Sequence, residues 1–382
     1  MFRVRIQPGW ELETEGGARL PPRLIALLLA VQETGSLAAA CRRVELSYRY
    51  AWGLLKQAET VLGRPLLRMT RGRGALLTPI GERLAWADKR IAARLSPTLD
   101  SLATELETEL ERYVSAQAMP LRIHASHGFG VETLRRVMSD DGMPLDLKYR
   151  SPDDALAALR AGSCDLAGLH LPIGELEGEL AAHYLDRLDL ADDRVLHLAM
   201  RRQGLVLAPG NPKQVRTLDD LPRDDLRFIH RQPGSGTRLL LECMLARQGL
   251  DFAAIHACDV EELTHAAVAA YVASGLADVG LALEPPARRY GLDFVPLATE
   301  HYFFLCRAET LDSGRLGELL DLLRGDAFRH ALGQLPGYDP SYCGTVQTLP
   351  EAFPSIRTLA VGRALPSERP AAPRADGSHL PP

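Results

Sequence analysis

One stretch, Thr34 to Arg83, constrains this chain more than any other. Gly35-Ser36 breaks a preceding apolar helix, and Leu37-Ala38-Ala39-Ala40-Cys41 makes a compact second one. A turn at Val44-Glu45-Leu46 then leads to a third helix opening at Ser47. Two short apolar segments, Leu66-Leu67 and Leu76-Leu77, flank Arg71-Gly72-Arg73-Gly74. Three helices with a tight middle turn, followed by a basic hairpin, predict a winged helix-turn-helix that meets double-stranded DNA.

Charge supports this only when it is located. The chain carries a net −5, yet residues 35–94 hold twelve Lys/Arg against four Asp/Glu, whereas residues 116–382 hold 27 against 36. A basic head on an acidic body separates a phosphate-facing module from one with another task. No apolar run approaches the roughly 20 residues that span a bilayer. Pro8-Gly9 and Glu11, Glu13 and Glu15 follow Arg3 and Arg5 where a signal segment would be apolar, so a cytoplasmic location without membrane attachment is expected. Six scattered cysteines without a Cys-x-x-Cys pair suit reduced thiols.

The length of 382 residues predicts two or three domains. The boundaries expected are a winged head with an N-terminal hairpin at 1–78, a connector helix at 79–115, a bilobal α/β body at 120–335 and a disordered Pro-rich tail at 364–382. Along the connector, Leu84, Ile91, Leu95, Leu99, Leu102, Leu106 and Leu110 recur at helical steps, a stripe expected to form a dimer seam, with Pro97 bending or interrupting the helix. In the body, strands are expected at 121–125, 145–149 and 165–169, with helices at 131–138 and 152–160 between them. A second set follows: strands at 227–230, 279–283 and 302–306, and helices at 237–247, 263–274 and 315–332. The βαβ rhythm implies parallel sheets with a ligand crevice at the carboxyl ends of the strands.

In the third helix, Ala51, Leu54, Leu55, Ala58, Val61 and Leu62 fall on one face, leaving Tyr48, Arg49, Trp52 and Lys56 for the other. Ser47 suits an N-cap, Arg49 can donate twice to guanine, and Lys56 suits phosphate. Ser36, Arg68, Arg71 and Arg73 complete the expected DNA-facing set. The alternatives stay open: Tyr48 and Trp52 as part of the head's core, and the wing arginines as an ordinary solvated loop.

These residues carry a resemblance. Gly35 through Ala40, Leu46-Ser47-Tyr48-Arg49-Tyr50-Ala51-Trp52 and Arg71 through Gly81 resemble the winged head of ModE-type molybdate-responsive regulators, and more distantly LysR-type heads. That implies a dimeric, sequence-specific operator binder over about the first 115 residues. Residues 120–335 instead resemble a periplasmic-binding-protein-like domain of type II. Ala125-Ser126-His127-Gly128, Ser163 through His170, Arg231 through Arg238, Glu261 through Ala269 and Ser274 through Leu281 carry that likeness.

Read physically, Gly234-Ser235-Gly236-Thr237-Arg238 lies between a strand and a helix, where converging N–H groups favour an anion. Ser126-His127 and Ser151-Pro152 occupy similar junctions, so many neutral donors and little competing charge are expected. The resemblance to molybdate-binding proteins implies contacts from Ser126, Ser151, Ser235, Gly236, Thr237 and Thr264, and His127 and Arg238 complete the expected ligand-binding set. Each Ser is alternatively a helix cap, and Arg238 alternatively pairs with an acidic neighbour. His127, His170 and His265 have no zinc spacing, so no metal is expected. Neither a Gly-x-Ser-x-Gly elbow nor a P-loop ending appears, which leaves catalysis and a resident cofactor without support. The expected function is a one-component regulator sensing molybdate, tungstate or a similar oxyanion. An organic metabolite is the close alternative; a cytoplasmic solute-binding protein and a molybdenum-cofactor enzyme are the more distant ones.

Overall fold

The computed structural model describes residues 3–70, 74–114 and 119–364. Arg71, Arg73 and all of the expected tail beyond residue 364 lie outside them. The chain opens with a short antiparallel hairpin, β1 (Leu12–Glu13) on β2 (Arg19–Leu20). Three helices follow: α1 (Pro22–Thr34), α2 (Leu37–Arg43) and α3 (Tyr48–Leu62). Their buried faces join Leu24, Leu27, Leu28, Val31, Leu37, Ala40, Ala51, Leu54, Leu55 and Ala58 in one core, with Val61 and Leu62 partly buried against it. The wing is β3 (Leu67–Thr70) paired with β4 (Gly74–Leu77). It is pinned to the turn between α1 and α2, because Ala75 N donates to Gly35 O at 2.8 Å. A Cβ at position 74 would stand 2.1 Å from that same oxygen, so the close approach requires glycine.

The helix α4 (Pro79–Val114) leaves the wing and runs unbroken through Pro97. Its 36 residues make a rod about 54 Å long. The hairpin expected over residues 2–20 is confined to 12–20, and residues 3–10 lie instead beside this helix: Val4 N donates to Glu107 Oε1 at 2.7 Å and Trp10 Nε1 to Asp88 Oδ1 at 2.9 Å.

The first lobe holds β5 (Leu121–Ala125), α5 (Phe129–Asp140), β6 (Leu145–Tyr149), α6 (Pro152–Arg160) and β7 (Leu166–Pro172), its strands parallel. After α7 (Glu177–Tyr184), strand β8 (Asp193–Leu207) crosses to the second lobe. That lobe holds β9 (Phe228–Arg231), α8 (Gly236–Arg247), β10 (Ala257–Glu262), α9 (His265–Ala273), β11 (Val279–Leu283) and α10 (Glu284–Arg289). Strand β12 (Asp293–Arg307) returns.

Instead of two separate parallel sheets, one mixed sheet runs β10-β9-β11-β8-β12-β7-β5-β6. Its centre is antiparallel. β8 and β12 are 15 residues each and pair from Leu207–Asp293 to Asp193–Arg307, threading both lobes. The expected single helix at 315–332 is two, Gly317–Arg324 and Asp326–Gly333, divided at Gly325, whose extended backbone ends one and starts the next. Packing also continues past residue 335: Tyr338–Asp339 and Val346–Thr348 pair with β8, and Leu349, Phe353 and Ile356 join the body's core.

The rod α4 lies across both lobes. Toward its start, Trp86 packs edge-on against Tyr290, with ring centroids 5.3 Å apart, and Arg90 lies over Tyr271. Toward its end, three hydroxyls spaced three and four residues apart satisfy the free side of β6. Thr104 Oγ donates to Leu147 O at 3.1 Å, Thr108 Oγ to Leu145 O at 3.5 Å, and Tyr149 N donates to Ser101 Oγ at 3.1 Å. Pro97 sits between the two docking zones. Lacking an N–H, it leaves Ala93 O without its helical donor. Thr264 Oγ supplies one at 2.9 Å, and the helix continues.

Candidate functional site

The lobes face each other across a cleft of about 390 Å³ at the carboxyl ends of β5, β6 and β9. Ser126, His127, Ser151, Ser235, Gly236 and Thr237 all line it. They are not equivalent. Ser151 and Ser235 cap α6 and α8, accepting from Asp154 N at 3.1 Å and Arg238 N at 3.2 Å. Ser126 Oγ and His127 Nδ1 are buried and make no hydrogen bond among the described residues. Buried polar atoms are rarely left so, and both residues line the cleft. Gly236 lets the start of α8 close on the opposite lobe, since a Cβ there would stand 2.3 Å from His170 Cε1.

Two expected contacts lie elsewhere. Thr264 is fully buried and spends its hydroxyl on Ala93 O and on capping Ala267 N, the latter at 2.9 Å. Arg238 turns away to Glu242, at 3.0 Å, and Glu261, at 2.5 Å. A nearby pair of carboxylates outcompetes the cleft for its guanidinium.

The cleft is also more cationic than neutral donors alone would make it. Arg94, Arg150, Arg201 and Arg231 line it beside a single carboxylate, Asp154. Arg201 comes from β8 where that strand passes between lobes, opposite Glu300 of β12. Its guanidinium meets Glu300 Oε1 at 2.5 Å and lies 4.4 Å from the centre of the Tyr302 ring. Gln203 Nε2 donates to Glu300 Oε2 at 2.9 Å, and His170 Nδ1 stands 3.0 Å from that oxygen. Burial works against the Glu300 charge, but Arg201 and His170 more than offset it and hold the carboxyl at about 2.

Arg231 is different. It is buried, and carbonyls hold it: Nη2 donates to Leu263 O at 2.9 Å and Nε to Glu262 O at 3.1 Å. No carboxylate among the described residues forms an ion pair with it. Burial, then Arg201, lower it to about 10, which still leaves it charged near neutral pH. His265 Nδ1 faces Arg231 Nη1 at 3.3 Å and accepts from Leu283 N at 3.3 Å, so its neutral ring carries the proton on Nε2. Burial, then Arg231, push His265 well below its ordinary value; burial, then Arg231 and Arg135, bring His127 down to about 3. At His127 and His265 the rings are therefore neutral near neutral pH, and the positive charge beside them comes from guanidinium. Among the described residues no group of His, Cys, Asp and Glu is arranged to hold a metal.

Sequence reasoning missed Arg201, Arg231 and Glu300. Charges inside apolar strands were the available signal, because such groups are seldom buried unless they are used.

On the head, Ser47 caps α3 by accepting from Tyr50 N at 3.2 Å, and Ser36 caps α2 by accepting from Ala39 N at 3.4 Å. Tyr48, Arg49, Lys56 and Arg68 are exposed. Trp52 is half-buried against the head's core, 6.3 Å edge-on from Tyr48. Ser47, Arg49 and Tyr50 open onto a groove of about 830 Å³ whose other wall includes Glu11 and Arg19 of the N-terminal hairpin.

Comparison with known proteins matches residues 134–324 to the PBP superfamily domain and residues 22–82 to the bacterial regulatory helix-turn-helix proteins of the lysR family. The chain belongs to the PBP superfamily and carries a lysR-family head. Among curated relatives of this PBP-superfamily chain, the uncharacterized protein YvgK of Bacillus subtilis (strain 168) is 32% identical over 52% of this chain and 64% of its own. The molybdenum-pterin-binding protein MopB of Rhodobacter capsulatus is 29% identical over 38% of this chain and 55% of its own. The chain thus spans less than two thirds of either relative. A structure of an H2O2-bound mutant of Corynebacterium glutamicum OxyR covers 91% of this chain and 97% of its own at 16% identity, with a TM-score of 0.40.

Proposed function

We propose that this chain is a one-component, DNA-binding transcriptional regulator whose bilobal body senses a small oxyanion. It works as a dimer in the cytoplasm, with a head at 1–78, a connector at 79–115 and an effector body from 120. Molybdate or tungstate is the favoured ligand, supported by the molybdenum-related name of a relative. The observation that carries the anion reading is Arg231, a buried cation that forms no ion pair with a carboxylate among the described residues, in the same cleft as Ser126 and His127, whose Oγ and Nδ1 make no hydrogen bond among them. The proposed task is binding rather than catalysis.

The size of the cleft favours a second reading. A volume of about 390 Å³ falls in the range of roughly 300–1,000 Å³ typical of organic ligands. An organic phosphate or carboxylate would use the same guanidinium groups. Calorimetric titration with molybdate, tungstate and sulfate, set beside a panel of small organic phosphates and carboxylates, decides between them. Heat only from the organic set would replace the oxyanion; heat from neither would remove the anion reading.

For the dimer, the support is the face of α4 opposite its docking hydroxyls. Leu95, Leu102, Leu106 and Leu110 stand 39–45% exposed there, with Leu99 half-buried. At about 100° per residue this stripe lies nearly opposite Ser101, Thr104 and Thr108. Leu102→Asp with Leu106→Asp should give monomers by light scattering; an unchanged mass would remove the seam.

A further inference from the structure

The connector helix carries the head, yet Arg94, Pro97 and Thr98 on it line the cleft between the lobes. Arg94 is loosely held. Its Nη2 donates to Glu261 O at 3.2 Å, and its Nε stands 3.6 Å from Glu262 Oε2, longer than a hydrogen bond. The Arg94 side chain is 47% exposed, whereas that of Glu262 is 2% exposed, and Glu262 Oε2 makes no hydrogen bond among the described residues. A long, half-exposed ion pair is a weak one, while a guanidinium aimed at a desolvated oxyanion makes short charge-assisted bonds. An anion seated between Ser126 and Arg231 would therefore outcompete Glu262 for Arg94. Glu262 would not be stranded, because Arg90, one turn earlier on the helix, and Arg231 also act on its charge.

We propose that Arg94 is a ligand-contacting residue, so that the effector anion is gripped by both lobes and by the helix that bears the DNA-reading head. This rests on the anion reading above and adds a third wall to that site. It also gives the signal a short route. Arg94 stands nine residues beyond Ala85, which is buried in the head's core, or about 14 Å along the rod. A contact at Arg94 pulls on the same helix segment that Thr264 fastens at Ala93 and that Pro97 leaves short of one internal hydrogen bond.

The test is calorimetric titration of the full chain with molybdate, tungstate, sulfate and phosphate. It compares the wild type with Arg94→Ala, Arg94→Lys and Arg90→Ala, after matched circular dichroism confirms folding. Arg94→Ala should weaken binding roughly tenfold or more, as for loss of a charge-assisted hydrogen bond, and Arg94→Lys should recover part of that. Arg90→Ala, which alters the same helix where it faces Tyr271, should stay within about twofold. Wild-type heat with Arg94→Ala unchanged overturns the third wall and leaves the anion site standing. An equal loss in Arg90→Ala and Arg94→Ala overturns it too, because docking of the helix would then explain both. No wild-type heat with any of the four anions overturns the oxyanion reading and this proposal together.

Discussion

Arg49 and Lys56 on the head stand in water, whereas Arg201 and Arg231 in the cleft are 2% and 7% exposed. The exposed pair costs the fold little and is screened over about 8 Å at physiological ionic strength. Each buried guanidinium carries a desolvation penalty of roughly several kcal/mol. Arg201 recovers it from Glu300. Arg231 has carbonyls and the His265 ring but no ion-paired carboxylate among the described residues, so an arriving anion would compensate its charge more fully. On the proposed reading, the head would meet DNA phosphates by long-range, salt-sensitive attraction, while the cleft would recognise an anion by short contacts made in a desolvated space.

The largest expected effect follows from that contrast. Arg231→Met should abolish anion binding, by about 100-fold or more, and at the same time leave the melting temperature equal or higher, because a buried uncompensated charge is gone. Calorimetry with thermal denaturation checks both halves. A variant that binds normally, or one that unfolds, breaks the distinction between the two kinds of arginine.

Next come the head residues. Arg49→Ala should weaken cognate operator binding by roughly 1–3 kcal/mol and relax preference at one base pair. Lys56→Ala should weaken cognate and random DNA alike and lower the salt slope by about one. Gel-shift series over salt separate the two, and an unchanged Arg49→Ala takes that residue off the reading face.

Smaller effects divide the cleft serines. Ser126→Ala removes an unpaired hydroxyl, so it should cost binding roughly 1–2 kcal/mol and stability almost nothing. Ser151→Ala removes an N-cap, so it should cost about 1 kcal/mol of stability and little affinity. If both behave alike, capping does not discriminate between them.

The smallest expected effect is on pH. With guanidinium supplying the charge, anion affinity should change less than about twofold between roughly pH 6 and 8. A tenfold rise toward pH 6 would put an imidazolium in the site. Stability behaves otherwise. His127 is held at about 3, against an ordinary value near 6.5, so the unfolded chain binds more protons between those values. Its contribution is fully present above about pH 6.5 and is lost as pH falls toward 3, and melting temperatures should drop accordingly.

Much of the frame was legible in the residues, for identifiable reasons. β5, β6 and α6 end where the apolar alternation and the Ser151-Pro152 start signal place them. β8 was not. It is buried along nearly its whole length, so it shows no alternation, and Arg201-Arg202-Gln203 interrupts its apolar run just where it crosses between lobes. Of these three, Arg201 lines the cleft. The junction serines were found because caps and anion contacts use the same residue types at the same places; for that reason their sequence could not say which task each performs. Docking of the connector was equally hidden. Its leucines stand out as a pattern, whereas Ser101, Thr104 and Thr108 look like ordinary polar positions on a helix.

The hydroxyls of Ser101, Thr104 and Thr108 have a consequence for anyone dividing this chain. β6 is the last strand of its sheet, and an uncovered last strand is a template for pairing with another molecule. A body fragment begun near residue 119 would bare the backbone of Leu145, Leu147 and Tyr149, and it should aggregate in proportion to its concentration. One begun at Pro79 keeps its own cover and should stay dispersed, so the rod that joins the two modules is also what makes one of them fit to stand alone.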